Sequence, residues 1–272
     1  MKPRVAIVQF PGVNCEAESA RALRRVGLEA EVFAWTRPPH ELRDFGAFVI
    51  PGGFSYQDRV RAGALAAKDP LMEVIAEEAA NGKPVLGICN GAQVLVEAGL
   101  VPGGRGEVEL GLGRNHMTGR SGYFARWIVL RVESSDCLFT STLAPGDLVP
   151  MPMAHGEGRF SAREPRRLAT LAQEGQAPLR YADRAGDAAT IFPDNPNGSP
   201  ESIAAICNPR GNVLALMPHP ERAQDLGAVP RGIGGAWEDR RDAWARGANP
   251  DADAEGPGLA IFAGLARHLE RA

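Results

Sequence analysis

Val85-Leu86-Gly87-Ile88-Cys89-Asn90-Gly91-Ala92-Gln93 passes from a short apolar run, through a turn with glycines at 87 and 91, into a helical period that continues to Ala98. The run Val85–Ile88 reads as a strand and 92–98 as a helix, so the stretch predicts one β-α unit with Cys89 at its apex. Glycines two residues either side of a nucleophile remove Cβ clashes and let the side chain stand out on a sharp bend, the geometry of a nucleophile elbow. Oriented amides at the helix N-terminus also favour thiolate over thiol. Cys89 is therefore a nucleophile candidate, and a buried structural thiol beside a glycine-rich turn is the alternative.

Working outward, the same alternation repeats. Val5–Val8 is a continuous apolar run bounded by Pro11-Gly12, and Ala17, Ala20, Leu23 and Val26 follow at helical spacing up to Gly27. Residues 30–34 and 48–50 read as further strands, the latter ending in Pro51-Gly52-Gly53, and 70–81 as a helix closed by Gly82. Strand and helix alternating at this interval predict an α/β fold with a mostly parallel central sheet covered by helices on both faces. Ligands then belong at the carboxyl ends of the strands.

Beyond about residue 105 the texture becomes strand-rich: 127–132, 148–153, 203–207 and 213–217 look like strands separated by Gly, Pro and Asn turns. No second hydrophobic core stands apart, so residues 1–272 are expected to form one domain. Residues 223–258, rich in Ala, Arg, Asp, Gly and Pro, are expected to be a solvated excursion within it, with Trp237 and Trp244 able to share one helical face. A last helix, 259–269, docks back through its apolar stripe.

Composition narrows the function classes. Thirty Lys plus Arg against 33 Asp plus Glu give a net charge of -3, too balanced for nucleic acid or an anionic membrane surface. No run of 18 apolar residues suggests a membrane span, and Val5–Phe10 is too short for a signal-peptide core. Four cysteines, at 15, 89, 137 and 207 with no CxxC pair, suit neither a disulfide framework nor a zinc cluster, and read as thiols in a reducing cytoplasm. Cys15, Cys137 and Cys207 read as packed thiols, and no metal site is expected.

A thiolate that forms a tetrahedral intermediate needs donors where negative charge appears. The amide of Asn90, next after the nucleophile, is one. The loop Pro51-Gly52-Gly53 at a neighbouring strand end supplies the other through Gly52 or Gly53. A base is also required, and two His-x-Glu sequences offer one: His155-Gly156-Glu157 and His219-Pro220-Glu221. In extended chain, residues i and i+2 point the same way, so either carboxylate can orient its imidazole. Spacing does not choose between them, but the strand 213–217 directly before His219 favours the second.

The run GICNGAQ at 87–93 with HPE at 219–221 resembles the class I, or triad, glutamine amidotransferases. QFPGVNCE at 9–16, PGGFSYQDRVRAGA at 51–64, Arg126-Trp127, MAHGEGRF at 153–160, FPDNPNGS at 192–199 and IAAICNPRGNVLALMPHPER at 203–222 narrow the likeness. They point to the glutaminase subunits of phosphoribosylformylglycinamidine synthase, over most of residues 4–222 and the final helix. The resemblance implies that Cys89 attacks L-glutamine, that His219 handles the proton and Glu221 orients it, that Gly52, Gly53 and Asn90 serve the oxyanion, and that Gln93 helps hold the substrate. It also implies a synthetase partner, PurL, with PurS as a possible third subunit. ATP and Mg²⁺ would act in that partner, and this subunit would need no cofactor.

Two positions depart from the family pattern. Val13 stands where Ser or Thr is usual, and Gln57 where Gly is usual, which puts the shape of the loop from Phe54 to Arg59 in question. Two other function classes fit parts of the sequence. A free-standing cysteine hydrolase of the DJ-1/PfpI kind would carry a His soon after the Cys, where Asn90 stands, and a non-catalytic binding subunit would be expected to lack a triad member.

Overall fold

The computed structural model describes residues 3–103, 106–164, 166–247 and 255–271. The N-terminal half runs β1 (Arg4–Gln9), α1 (Glu16–Arg25), β2 (Glu29–Ala34), β3 (Ala47–Ile50), α2 (Pro70–Ala80), β4 (Val85–Ile88) and α3 (Asn90–Glu97). The expected alternation is present with boundaries moved by one or two residues. Helix α2 shows why its start is sharp: Pro70 fits the first turn, and the Asp69 carboxylate accepts the Leu71 N–H at 3.0 Å.

The second half contains β5 (Leu110–Arg114), β6 (His116–Met117), β7 (Arg120–Ser121), β8 (Phe124–Val132), β9 (Leu148–His155), β10 (Glu157–Ala162), α4 (Arg167–Gln173), β11 (Leu179–Ala182), β12 (Ile203–Cys207), β13 (Val213–Leu216), α5 (Gly235–Ala245) and α6 (Leu259–Leu269). Nine strands form one sheet in the order β2-β1-β3-β4-β13-β12-β11-β8-β9. The first five are mutually parallel and the remaining four join antiparallel. β1, β3, β4, β12 and β13 are almost wholly buried, as strands covered on both faces must be. Among the described residues no helix is long and apolar enough to cross a membrane.

One register fixes the site. Ile50 pairs with Gly87 and Leu216 with Ile88, so β3, β4 and β13 end level with one another. The segments that follow them, 51–53, 89–90 and 217–219, are delivered to the same rim.

Residues 223–258 are less solvated than their composition suggests. Ala223, Gln224, Leu226 and Val229 are buried, and α5 lies within the segment. The indole N–H of Trp237 donates to the Leu148 carbonyl at 3.0 Å, and Trp244 packs so closely on Gly227 that a Cβ there would sit 3.1 Å from its ring. The two tryptophans supply apolar area that the Ala, Gly and Asp around them lack, which is why the segment returns to the body. Residues 248–254 of the expected excursion lie outside the described residues.

Candidate active site

Cys89 occupies φ 51° and ψ −103°, a strained conformation for a residue with a side chain. It is held there from both sides, its N–H donating to the Leu216 carbonyl at 2.8 Å while its own carbonyl accepts from Gln93 N–H at 3.1 Å. The flanking glycines serve close approach. A Cβ on Gly91 would meet the Ile50 carbonyl oxygen at 1.9 Å, and one on Gly87 would meet the Gly91 carbonyl oxygen at 2.5 Å. The elbow is therefore a place where α3 is pressed against β3 and β4, with the strain concentrated at the thiol-bearing residue itself. Cys89 Sγ lies 3.5 Å from the Ala154 carbonyl oxygen, at the wall of a cavity of about 470 Å³.

His219 reaches the same cavity from the end of β13. Its Nδ1 is 2.6 Å from Glu221 Oε1, and both side chains are buried. Burial opposes the imidazolium, but the Glu221 carboxylate, the Cys89 sulfur and a contact with Cys15 more than compensate, and together they hold His219 well above its ordinary value.

The other His-x-Glu is built differently. His155 Nδ1 is 3.0 Å from Asn115 Oδ1 and not on Glu157. Asn115 Oδ1 also accepts the Gly158 N–H, and its Nδ2 donates to the carbonyls of Gly122 and His155. The Asn115 amide is thus fixed with its oxygen toward the imidazole, and His155 carries its proton on Nδ1. Burial, with a smaller contribution from His219, pushes His155 down to about 3, so it stays neutral. Spacing left two candidates; the carboxylate contact selects His219.

The loop expected to supply an oxyanion donor lies beside the elbow, and Gly53 lines the cavity. Asn14 N–H donates to Gly52 O and Phe54 N–H to Gly12 O, on either side of Gly53. Gly53 sits at φ 145°, and a Cβ there would fall 2.4 Å from Val13 Cα. Gly52 is required for another reason: a Cβ would meet His219 Cε1 at 2.8 Å. Asn90 opens α3, so its N–H has no acceptor one turn back. Gln93 is committed to the protein, its Nε2 donating to Glu157 O at 2.6 Å and its Oε1 accepting from Asn90 Nδ2 at 2.8 Å. These bonds brace the cavity wall, and Gln93 also lines the cavity in which it was expected to help hold the substrate.

One feature was missed in the sequence, and a second was flagged there only at Gln57. Cys15 is packed, as expected, but its thiol lies at the triad. Cys15 Sγ, His219 and Glu221 ligand atoms lie within 4.8 Å of one another, and Arg222 Nη2 donates to the sulfur at 3.2 Å. The guanidinium on the thiol and the His219–Glu221 bond tie that cluster together from within the chain, so it reads as support for the imidazole. The second feature is the loop 56–60, where Tyr56, Gln57, Asp58 and Val60 all have positive φ. Gln57, at φ 59°, occupies the left-handed conformation that the usual glycine would adopt freely. Ser55 N–H donates to Asn90 Oδ1 at 2.9 Å and Asn90 Nδ2 to Asp58 Oδ1 at 3.1 Å, which ties this loop to the elbow.

Residues 2–246 match the family model for the CobB/CobQ-like glutamine amidotransferase domain. The phosphoribosylformylglycinamidine synthase subunit PurQ of Methanothrix thermoacetophila is 44% identical over 274 residues, covering 98% of each chain. The protein of the same name from Thermus thermophilus is 46% identical over 222 residues, 82% of this chain and 90% of its own. The structure of PurLQS from Thermotoga maritima superposes with a TM-score of 0.71 at 33% identity, covering 99% of this chain and 100% of that one. The acivicin-bound glutaminase domain of Trypanosoma brucei CTPS, at 11% identity and a TM-score of 0.54 over 98% of this chain and 94% of its own, shares the fold.

Proposed function

This chain belongs to the CobB/CobQ-like glutamine amidotransferase family, as a PurQ-type glutaminase subunit of phosphoribosylformylglycinamidine synthase, and from that premise we propose how its own residues perform the reaction. The Cys89 thiolate attacks the side-chain amide carbon of L-glutamine. The oxygen that gains negative charge lies toward the Gly53 and Asn90 N–H groups, two donors that need no reorganisation as the charge develops. His219, protonated and supported by Glu221, gives its proton to the departing nitrogen. Ammonia leaves and a γ-glutamyl thioester remains on Cys89. His219, now neutral, takes a proton from water, which attacks the thioester and releases glutamate.

The observation that carries this reading is the convergence of a strained Cys89 and a carboxylate-paired His219 on one cavity. The ammonia serves ATP-dependent conversion of formylglycinamide ribonucleotide to formylglycinamidine ribonucleotide in purine biosynthesis. PurL is the synthetase partner, and the PurLQS complex of Thermotoga maritima supports PurS as the possible third subunit. We further read ATP and Mg²⁺ as belonging to PurL, this subunit as needing no cofactor, and the complex as cytoplasmic. A glutamine-analogue thiol label, followed by mass measurement of the Cys89 peptide with and without the synthetase, tests the core of the proposal. The label is expected on Cys89 and faster in the complex, and labelling confined to another cysteine would overturn it.

A further inference from the structure

The segment 223–258, which the triad does not use, closes two further cavities beside β8 and β9. The first, of about 400 Å³, takes Arg126 and Trp127 from β8, Arg184 and Asp194 from the chain after β11, and Arg231 from the stretch before α5. The second, of about 420 Å³, has an apolar wall that includes Leu143, Leu148, Pro150, Ile233 and Trp237. Val129, Arg184 and Ile233 line both, so the two adjoin. Neither shares a lining residue with the cavity of Cys89. Each has the size of a small-molecule site, roughly 300–1,000 Å³.

Positive charge gathers in the first cavity. Arg126, Arg184 and Arg231 line it with Asp194 as the one acid, in a chain whose net charge is -3. Among the described residues none of the three guanidinium groups has a carboxylate oxygen within 4.0 Å. Arg126 is half-buried and held by neutral acceptors, its Nε donating to the Trp127 carbonyl at 3.1 Å and its Nη1 to the Pro193 carbonyl at 3.2 Å. The stretch that carries Arg231 is clasped by Glu238, whose two oxygens accept the Gly232 and Gly234 N–H groups at 2.6 and 2.7 Å. That carboxylate is therefore occupied, and Arg241 stands 3.7 Å from it. In the second cavity Asp147 accepts the Ala144 N–H at 2.8 Å, and the Arg240 guanidinium lies 4.2 Å over the Trp237 ring. Guanidinium groups brought together without counter-ions repel, and an anion relieves them together; the planar fork of arginine donors matches phosphate oxygens.

We infer that the joined cavities form a second ligand site, for a nucleoside monophosphate, with the phosphate among Arg126, Arg184 and Arg231 and the base against Ile233 and Trp237. A longer polyphosphate would run its further charges into the apolar wall and toward Asp147, so a single phosphate is the fitting charge. The site stands apart from the glutaminase reaction. It gives a role to the segment 223–258 and to the Arg126-Trp127 pair, neither of which the triad needs.

Calorimetric titration of the full chain with AMP, adenosine and inorganic phosphate tests the site. AMP should bind at least about tenfold more tightly than either fragment, because it alone fills both cavities. Arg126→Gln and Arg231→Gln should each weaken AMP about 10- to 100-fold and leave adenosine unchanged. Trp237→Leu should weaken AMP and adenosine together and leave phosphate unchanged. Arg231 is exposed and makes no hydrogen bond or ion pair among the described residues, so Arg231→Gln keeps the fold even where loss of the Arg126 or Trp237 contacts disturbs it. Absence of AMP binding at millimolar concentration, AMP binding no tighter than either fragment, or undiminished AMP affinity in Arg231→Gln would overturn the inference. In the Cys89→Ala chain, saturating glutamine should leave AMP affinity unchanged. Competition between the two would put the nucleotide in the cavity of Cys89 and overturn the second site as well.

Discussion

At the residue scale the decisive contrast is between two histidines with the same local sequence. His219 has its carboxylate at 2.6 Å and is held protonated more readily, whereas His155 has an amide oxygen and is held neutral. His219→Ala should lower kcat for glutamine by about 100-fold or more, and His155→Ala should retain thioester chemistry, as single-turnover acylation would show. Stability should carry the opposite signature. His155 falls to about 3 from an ordinary 6.5, so between those values the unfolded chain binds the extra proton and stability decreases as pH falls. One such group contributes a slope of about 1.4 kcal/mol per pH unit. Denaturant titrations at pH 7 and pH 5 should show a smaller difference for His155→Gln than for wild type. Cys89→Ala is the simplest test: glutamine-dependent amidine formation should vanish while ammonium still supports it, and unimpaired use of glutamine would remove the nucleophile assignment.

At the element scale the site is a matter of backbone approach. The loop after β3 lies against the elbow so tightly that Gly52 has His219 and Cys15 where a side chain would be. Gly52→Ala should therefore displace the imidazole and reduce kcat by about tenfold or more, with a smaller effect on KM. A loss in melting temperature without a loss in kcat would show that the ring gives way harmlessly. In the next loop, Gln57 at φ 59° bears a strain that glycine does not, so Gln57→Gly should stabilise the chain by about 0.5–1 kcal/mol, measured by chemical denaturation. Helix α5 is held by Trp237 and by Trp244 on Gly227, contacts that composition alone concealed.

At the scale of the whole molecule, five parallel strands present one rim and four antiparallel strands close it. β9 and β10 bring Ala154, His155 and Glu157 back over the elbow from the far part of the chain. The cavity is thus shared between the two halves of the sheet, and its mouth carries Phe54, Val60 and Tyr123 largely exposed. An enzyme that releases ammonia into solvent wastes its donor, so the isolated chain should hydrolyse glutamine slowly and the synthetase should raise its turnover. A rate indifferent to the partner would mark an autonomous hydrolase.

Much of this is legible in the sequence. Periods of two and near four along the chain, with glycines where strands end, are local consequences of backbone geometry, so β1 to β4, the elbow at Cys89 and the loop at Gly52-Gly53 could be read directly. The motifs supplied the chemistry of Cys89, His219 and Glu221. Tertiary structure decided what no local pattern encodes: that Glu157 leaves His155 to Asn115, that Cys15 meets the triad, and that Gln93 is bonded to both Asn90 and the Glu157 carbonyl. Each of these depends on which side chain, distant in sequence, arrives within about 3 Å of a polar atom. Spacing along the chain fixes direction, but only the packing of the sheet's two halves fixes company.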